Sequence, residues 1–439
     1  MIGRFPWEPF SPGEPDPGGP DPLAGALYRA AVQAADAYRS VRLAVRRESG
    51  VLRVGNRFVP DARYREVAFV SLGRAAVSMA FAALHVFGDR LTQGFVAGPD
   101  PLPPEIPFRA AHVGDGWGGS DAAPTVVGAV REIASGLRAS DLLLLLVSPG
   151  SVRALLEPPA GFTSVEFAGW LSELYDAGAT AREVSEAARV LGTGGVGGRL
   201  LPAGVAADVQ VLLVDRGDGP RLLGGGPTFA TNADERARTR AALERLGRFE
   251  RLPSGALAAV RAAPSAEAAL PAWRPVVVAN PSDALRAAGD RAFDKGWTVR
   301  VGFLELAERP TVAADRLVAK AEEVVSAERP GGGSKGTVVL GASTLDVPEG
   351  VPEGPACEAF VDRASAGLRR REMSVAVLRT AGADPNGLAG AVVGALGDPE
   401  AGAPPGARRG LRMRAGITDV GAIVAALVPA RAVPPPARN

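Results

Sequence analysis

The run of aliphatic residues from Leu142 to Val147 constrains the fold of this chain most strongly. It is far shorter than the roughly 20 apolar residues that a membrane-spanning helix needs. It also lacks the polar positions that would mark a solvent-exposed face of a strand. An uninterrupted apolar strand is typical of a parallel sheet that helices cover on both faces. The pattern therefore predicts a central, buried strand at 141–148.

Strand and helix patterns alternate along the rest of the chain, which is typical of α/β proteins. The first half predicts strands at 66–72, 94–97, 108–113 and 209–215, and helices at 74–86, 120–137, 165–176, 180–191 and 234–246. The second half predicts strands at 275–279, 298–306, 337–345, 374–378 and 411–414, and helices at 282–295, 312–327, 355–369, 387–396 and 420–427. We expect an α/β protein of two domains, each a mainly parallel sheet flanked by helices, with a cleft between them.

Proline-rich and glycine-rich segments delimit these domains. Residues 1–21 and 431–439 are predicted to be disordered tails, because proline at that density removes backbone donors and leaves little to bury. The first domain is expected at 22–252 and the second at 270–430. The weakly patterned segment between them is interpreted as a connector.

Composition excludes several classes of function. The 49 basic and 48 acidic residues give a net charge of +1, so nucleic acid is not an expected partner. No apolar segment has the length of a signal peptide or a membrane span, which predicts a cytoplasmic protein without a membrane partner. Cys357 is the single cysteine, so an internal disulfide is excluded. His85 and His112 are the two histidines, and a His-rich zinc site is not expected.

Two glycine-rich segments imitate nucleotide-binding motifs. Residues 192–197 have the spacing G-x-G-x-x-G, but they follow a predicted helix instead of a strand. Residues 331–337 resemble a P-loop, yet a strand follows where that motif needs a helix N-terminus. We interpret the first as an active-site or connecting loop and the second as a linker.

Several segments, taken in order, resemble the glycerate 2-kinase family with its C-terminal MOFRL domain. In the first domain these are 72–80, 111–115, 141–158, 178–183, 197–200, 215–218 and 225–228. In the second domain they are 341–344, 356–358 and 380–391. The resemblance implies an enzyme that transfers a phosphoryl group from ATP to a small hydroxy acid, with Mg²⁺ as the metal.

The same resemblance implies roles for individual residues. It assigns catalysis to Arg74, Arg189 and Asp215, and metal binding to Asp215 and Asp218. It assigns ATP binding to Ser148, Gly150, Ser151, Gly226 and Thr228, and substrate binding to His112, Arg199 and Glu358. Phosphoryl transfer depends mainly on positioning and on neutralising charge, so these cationic, glycine-rich and carboxylate positions suit it.

The departures from the family pattern concern its charged and flexible positions. A family lysine is Arg74 here, and no lysine precedes Lys295. Arginine binds phosphate through a planar fork, but it is not a compact ammonium. Other polar or flexible family positions carry apolar or rigid residues: Pro149, Val152, Val190, Val196 and Ala381.

Three interpretations follow from this mixture of matches and departures. The leading one is a glycerate 2-kinase-like protein with a degenerate active site and reduced or absent kinase activity, which keeps ligand binding or an interaction role. The second is a working kinase that uses ATP and Mg²⁺ on glycerate or a related hydroxy acid. The third is a structural or assembly subunit that reaches a partner with its proline-rich N-terminal arm. A homodimer or another protein partner is compatible with each.

Overall fold

The computed structural model describes most of the chain between residues 22 and 429. The described residues are 22–114, 122–217, 219–261, 275–306, 308–327, 334–348, 354–368, 374–379, 388–394, 408–412 and 422–429. The two predicted tails, Asp218 and the first two residues of the helix predicted at 120–137 lie outside them. Across the described part, no helix is both long and apolar enough to span a membrane.

The described residues form helices and strands in alternation. The helices are α1 (Pro22–Ala34), α2 (Ala37–Ala44), α3 (Ala76–Phe87), α4 (Ala122–Gly136), α5 (Val152–Leu155), α6 (Ser164–Asp176), α7 (Ala181–Leu191), α8 (Ala233–Arg245), α9 (Ser254–Arg261), α10 (Pro281–Asp294), α11 (Pro310–Ala327) and α12 (Gly354–Leu368). The strands are β1 (Val45–Glu48), β2 (Val51–Val54), β3 (Arg57–Pro60), β4 (Val67–Leu72), β5 (Leu91–Gly98), β6 (Arg109–His112), β7 (Leu142–Val147), β8 (Leu156–Glu157), β9 (Thr193–Gly194), β10 (Asp208–Val214), β11 (Val276–Ala279), β12 (Thr298–Leu306), β13 (Gly336–Ser343), β14 (Ser374–Arg379), β15 (Leu388–Gly394), β16 (Arg408–Arg412) and β17 (Ala422–Pro429).

A six-stranded sheet of order β11-β10-β7-β4-β5-β6 forms the centre of the first lobe. All of its neighbouring strands pair in parallel. Every residue of β7 is buried, because β10 and β4 flank it and side chains of helices pack on both of its faces. The prediction of a central, doubly covered strand at 141–148 is confirmed.

A second six-stranded sheet, of order β12-β13-β17-β14-β15-β16, forms the second lobe. Strands β12 and β13 are parallel, whereas the other four pairings are antiparallel. The α/β class is confirmed, but this sheet differs from the mainly parallel one that we expected. The predicted helices at 387–396 and 420–427 are the strands β15 and β17. Their apolar runs of seven and eight residues suit a buried strand as well as a helix.

The two lobes share one hydrophobic core. It joins Phe69 and Leu144 of the parallel sheet to Leu340 and Ile423 of the second sheet. Helix α1 packs along α10, and α10 in turn packs on β12 and β13. Strand β11, from the later part of the chain, pairs with β10 at the edge of the parallel sheet. Chain segments from each half therefore complete the structure of the other.

Polar contacts also fasten the second lobe to the start of α7. The buried carboxylate of Asp346 accepts a hydrogen bond from the Ala181 amide (2.8 Å) and pairs with Arg309 (3.3 Å). Arg309 donates in addition to the carbonyl of Ala179 (2.9 Å). The buried Arg216 donates to the carbonyl of Val347 (2.8 Å). These contacts hold the loop after β13 against the turn before α7 and against the loop after β10.

Candidate functional site

Most of the residues singled out from the sequence lie at one edge of the parallel sheet. Arg74 follows β4, His112 ends β6, Ser148 follows β7 and Asp215 follows β10. Because these strands are parallel, their carboxyl ends share this edge. Open α/β sheets bind ligands outside the carboxyl ends of their strands, so this edge is the candidate site.

The turn after β4 and the loop after β7 are pinned together by hydrogen bonds. The hydroxyl of Ser148 donates to the Leu72 carbonyl (2.9 Å) and accepts from the Ala75 amide (3.0 Å). The amide of Arg74 donates to the Pro149 carbonyl (2.9 Å). Ser148 is fully buried, so its side chain holds the start of α3 in place and leaves the Arg74 side chain beside the loop.

Glycine is required where this turn meets the loop. Gly73 has φ +101°, and a Cβ atom there would lie 2.3 Å from the Ser148 carbonyl oxygen. Gly150 has φ +89°, and a Cβ atom there would lie 3.0 Å from Cγ of Arg74 and 3.2 Å from the guanidinium of Arg153. Two arginine side chains therefore approach the backbone of Gly150 closely.

Ser151 supplies a buried polar group at the same place. Its Oγ is inaccessible to solvent and has no hydrogen-bond partner among the described residues. A Cβ atom on Gly224 would lie only 2.4 Å from this oxygen, so the loop after β10 covers it. A buried hydroxyl without a partner is costly unless another group completes it. Ser151, Gly150 and the two arginines could together hold an anion.

The glycine-rich loops at 192–198 and 224–228 stack against each other. The Gly197 amide donates to the Gly225 carbonyl (2.8 Å), and the Gly198 amide donates to the Gly226 carbonyl (2.9 Å). Gly226 is buried, whereas Thr228 is partly exposed. The segment 192–197 is thus hydrogen-bonded to the loop at 224–228 and supports it. This agrees with its interpretation as an active-site or connecting loop.

Arg189 lies beneath these loops and is fully buried. Its guanidinium donates to the carbonyls of Arg221 and Phe229 (3.0 Å for the latter) and forms an ion pair with Glu235 (3.3 Å). Burial lowers the pKa of Arg189, and the nearby Glu235 carboxylate opposes that shift. In this arrangement Arg189 positions the 221–229 loop through its backbone.

Arg199 and Asp215 also make contacts with the backbone. Arg199 donates to the carbonyls of Arg189 (3.2 Å) and Gly192. One carboxylate oxygen of Asp215 accepts from the amides of Gly217 (3.0 Å) and Gly219 (3.2 Å). These two amides orient the carboxylate toward the loop that follows β10.

The side chains at this edge could bind Mg²⁺ only if phosphate oxygens of a ligand completed the coordination. The described residues contain no group of three His, Cys, Asp or Glu side chains that could hold a metal ion. Mg²⁺ is commonly bound by one or two carboxylates together with phosphate oxygens. Asp215 can supply one such carboxylate, while the second carboxylate that we predicted, Asp218, lies outside the described residues.

The remaining predicted residues are more distant in the fold or more exposed. His112 is exposed at the end of β6, and Glu358 is exposed on α12 of the second lobe. Sequence reasoning missed Arg153, which is buried and donates to the Gly114 carbonyl, and Glu235, the partner of Arg189. The proximity of Arg153 to Ser151 in sequence was a usable signal. Nothing near Arg189 in sequence indicated Glu235.

Comparison with known proteins identifies the family. A family model described as "Domain of unknown function (DUF4147)" matches residues 23–261, more than half of the chain. The glycerate kinase of Bos taurus is 30% identical over 205 residues, which cover 42% of this chain and 38% of that protein. The glycerate kinase of Homo sapiens is 31% identical over 180 residues, covering 37% and 34%. The alignments therefore span well under two thirds of these relatives.

Solved structures extend the likeness in fold to nearly the whole chain. The crystal structure of glycerate kinase from Thermotoga maritima has a TM-score of 0.66 at 19% identity and covers 93% of this chain and 100% of its own. The PH0495 protein from Pyrococcus horikoshii has a TM-score of 0.64 at 19% identity, covering 93% and 98%. The MOFRL resemblance of the second half stays a prediction. The family resemblance is confirmed over residues 23–261: this chain is a member of the glycerate kinase-like family with a DUF4147 domain.

Proposed function

We propose that this member of the family binds a phosphate-bearing ligand at the carboxyl edge of the parallel sheet and transfers phosphoryl groups slowly or not at all. The names of its relatives support glycerate as the reference substrate, and the sequence resemblance implies ATP as the phosphoryl donor. Bound ATP would supply the phosphoryl group, and Mg²⁺ would neutralise charge on its phosphates. The side chains at this edge determine how fast phosphoryl transfer can be.

The burial of Arg189 is the observation that carries this proposal. Nη1 and Nη2 of its guanidinium are engaged by two backbone carbonyls and by Glu235, while the buried Nε has no hydrogen-bond partner among the described residues. Because the whole side chain is buried, this guanidinium cannot also contact a transferring phosphoryl group unless the 221–229 loop rearranges. Removing one donor aimed at transition-state charge costs about 10²–10³ in rate in well-studied enzymes.

Ligand binding has better support than turnover. The side chains of Arg74 and Arg153 lie close to the backbone of Gly150, and the hydroxyl of the next residue, Ser151, is buried without a partner among the described residues. Arginine forks are typical phosphate ligands. Asp215 is oriented at the same edge, and its carboxylate could bind Mg²⁺ together with phosphate oxygens of the ligand.

A coupled assay of ADP release tests the slow turnover. Purified protein with ATP, Mg²⁺ and D-glycerate should form phosphoglycerate far below the range of about 1–10³ per second that is usual for enzymes. The glycerate kinase of a relative serves as the positive control. Ordinary turnover that is lost in Asp215→Asn would overturn the proposal and establish the second interpretation, a working kinase.

A binding measurement tests the retained ligand site independently of turnover. We expect Mg-ATP to bind the protein in isothermal titration calorimetry and Gly150→Ala to weaken that binding by about tenfold or more, because the new methyl group displaces two arginine side chains. Gly204→Ala is the matched control, since Gly204 also has a positive φ (+77°) but open space around it. Equal affinities of the two variants would argue against this loop as the phosphate site.

A further inference from the structure

A second concave surface lies at the opposite, amino edge of the parallel sheet. It is a groove of about 540 Å³ between α2, β1 and the last turn of α3. Helix α3 begins at the carboxyl edge and ends at the amino edge, so this groove is separated from the candidate site by the length of that helix. Small-molecule sites commonly have volumes of about 300–1,000 Å³. We call it the arginine groove; its lining residues used below are Tyr38, Arg39, Arg42, Arg46, Arg47 and His85.

The charge of the arginine groove is strongly positive. Four arginines and one acidic residue, Glu48, line it. Arg47 forms an ion pair with Asp61 (2.7 Å), which also binds Arg90. Arg39, Arg42 and Arg46 form no ion pair with any carboxylate of the described residues. Like charges three residues apart on a helix, such as Arg39 and Arg42, repel each other. An anion in the groove would relieve that repulsion.

A polar chain on the wall of the groove is already oriented. Arg42 donates to the hydroxyl of Tyr38 (3.3 Å) and lies over its ring, 5.5 Å from the centroid. The same hydroxyl lies 3.0 Å from Nδ1 of His85, so the three side chains form one hydrogen-bonded chain. Burial and the Arg42 charge both lower the pKa of His85, in agreement with this arrangement.

We propose that the arginine groove is a binding site for a small, multivalent anion that carries phosphate groups, separate from the carboxyl-edge site. Three guanidinium groups without carboxylate partners offer the planar forks that bind phosphate oxygens in pairs. The Tyr38 hydroxyl adds an oriented polar group, and the groove volume of about 540 Å³ suits a small molecule.

The two histidines of the chain provide separate reporters for the two edges. His85 lies in the arginine groove, and His112 lies at the carboxyl edge. We would follow both imidazole signals of the full chain by NMR while titrating inorganic pyrophosphate at constant ionic strength. His85→Gln and His112→Gln assign the two signals. A saturable shift of the His85 signal is the expected result.

Charge-matched variants decide whether the arginines bind the probe. Arg42→Gln combined with Arg46→Gln should weaken the pyrophosphate affinity read from His85 by about tenfold or more. Arg46→Gln alone, which leaves the Arg42–Tyr38–His85 chain intact, should still weaken it several-fold. Arg251→Gln with Arg300→Gln removes the same charge from exposed positions elsewhere and should leave the affinity nearly unchanged.

Three outcomes would overturn the proposal. One is a His85 signal that does not shift saturably, or a shift confined to His112. Another is an equal loss of affinity in the groove variants and in the Arg251/Arg300 control, which would indicate general charge screening. The third is binding of citrate as tight as that of pyrophosphate, which would assign the groove to polyanions without a preference for phosphate.

Discussion

Several arginine side chains near the candidate site bind backbone carbonyls. Arg189 and Arg216 donate to carbonyls of loops distant in sequence, and Arg199 donates to carbonyls at the end of α7. The planar fork of arginine can satisfy several acceptors at once, which a lysine ammonium does with less geometric specificity. The scarcity of lysine, absent before Lys295, therefore has a structural consequence as well as a catalytic one. Cationic positions that resemble a kinase site hold the loops together.

Replacing Arg189 tests this structural role. We expect Arg189→Met to lower the free energy of unfolding by about 3–5 kcal/mol, because the substitution removes one of the two arginine partners of the buried Glu235 and the donor to two backbone carbonyls. Urea denaturation measures the change. Arg240→Met is the matched control, since it removes the arginine of an exposed Arg–Glu pair on α8 and should cost about 0.5 kcal/mol or less. Similar losses in the two variants would contradict the role assigned to Arg189.

Tyr64 gives the protein a pH dependence in the alkaline range. Burial, together with its hydrogen bond to Asp208 (2.6 Å), raises the pKa of Tyr64 from 10.0 to about 12. The folded state therefore keeps a proton that the unfolded state loses near pH 10. The resulting stability is fully present below pH 10 and is lost as the pH rises toward 12.

Urea denaturation between pH 9 and pH 11 checks this expectation. At pH 11 the wild-type protein should have lost about 1 kcal/mol that Tyr64→Phe does not lose over the same interval. Since other groups titrate in both proteins, the difference between them isolates Tyr64. Parallel curves for the two proteins would show that Tyr64 ionises normally in the folded state.

Among the elements, the turn between β4 and α3 has no room for a side chain at Gly73. We expect Gly73→Ala to lower the free energy of unfolding by about 2–4 kcal/mol, because the substitution adds a backbone clash at the Ser148 carbonyl to the strain of a positive φ. Gly88→Ala at the other end of α3 is the control, since Gly88 has φ +52° but no atom near the added methyl group. Its cost should be about 1 kcal/mol. A thermal or urea unfolding series compares the two.

The strands and helices of the first lobe could largely be predicted from sequence, because their patterns are long and bounded. The strand at 141–148 and the capped helix at 180–191 correspond to β7 and α7, the latter with Thr180 as its N-cap. Short apolar runs were ambiguous. The predicted helices at 387–396 and 420–427 are strands, since residues of this kind form either element and pairing between distant segments decides.

The candidate site could be predicted in outline but not in its contacts. Parallel strands bring their carboxyl ends together, so the approach of the loops after β4, β7 and β10 follows from strand order. The partner of Arg189 does not, because Glu235 lies on another helix and a buried ion pair leaves no local pattern in the sequence. Sequence reasoning also missed the helices α1 and α2 and the strands β1–β3. The positions of α1 and α2 depend on packing against later parts of the chain.

At the scale of the whole molecule, contacts between the lobes keep the candidate site in one arrangement. Asp346 and Arg309 from the second lobe form hydrogen bonds to the turn before α7. Arg216 from the first lobe donates to the loop after β13. The domain boundaries at 252 and 270 stay predictions, and the pairing of β11 with β10 shows that the lobes are interleaved. A substitution at these contacts should therefore change the stability of both lobes.

Asp346→Asn tests the coupling. The amide side chain cannot pair with Arg309 and accepts more weakly from the Ala181 amide, so we expect a loss of about 1–3 kcal/mol in the free energy of unfolding. Hydrogen exchange of amides in the first turn of α7 should become faster. Asp315→Asn, which breaks an exposed pair with Arg363 inside the second lobe, is the control and should leave α7 unchanged. Unchanged exchange in both variants would argue against the coupling.

The pairing of β11 with β10 has a consequence for dissecting the protein. A fragment that ends at Arg261, where the family match ends, lacks β11 and leaves β10 as an open edge strand. It also lacks α10, so the apolar face of α1 that carries Leu27 and Tyr28 loses its cover. Open edges and uncovered apolar helices are templates for aggregation. Such a fragment should be poorly soluble on its own. One extended to Asp294 regains β11 and α10 but exposes the face of α10 that packs on β12 and β13, so it should be more soluble than the shorter fragment and less soluble than the full chain.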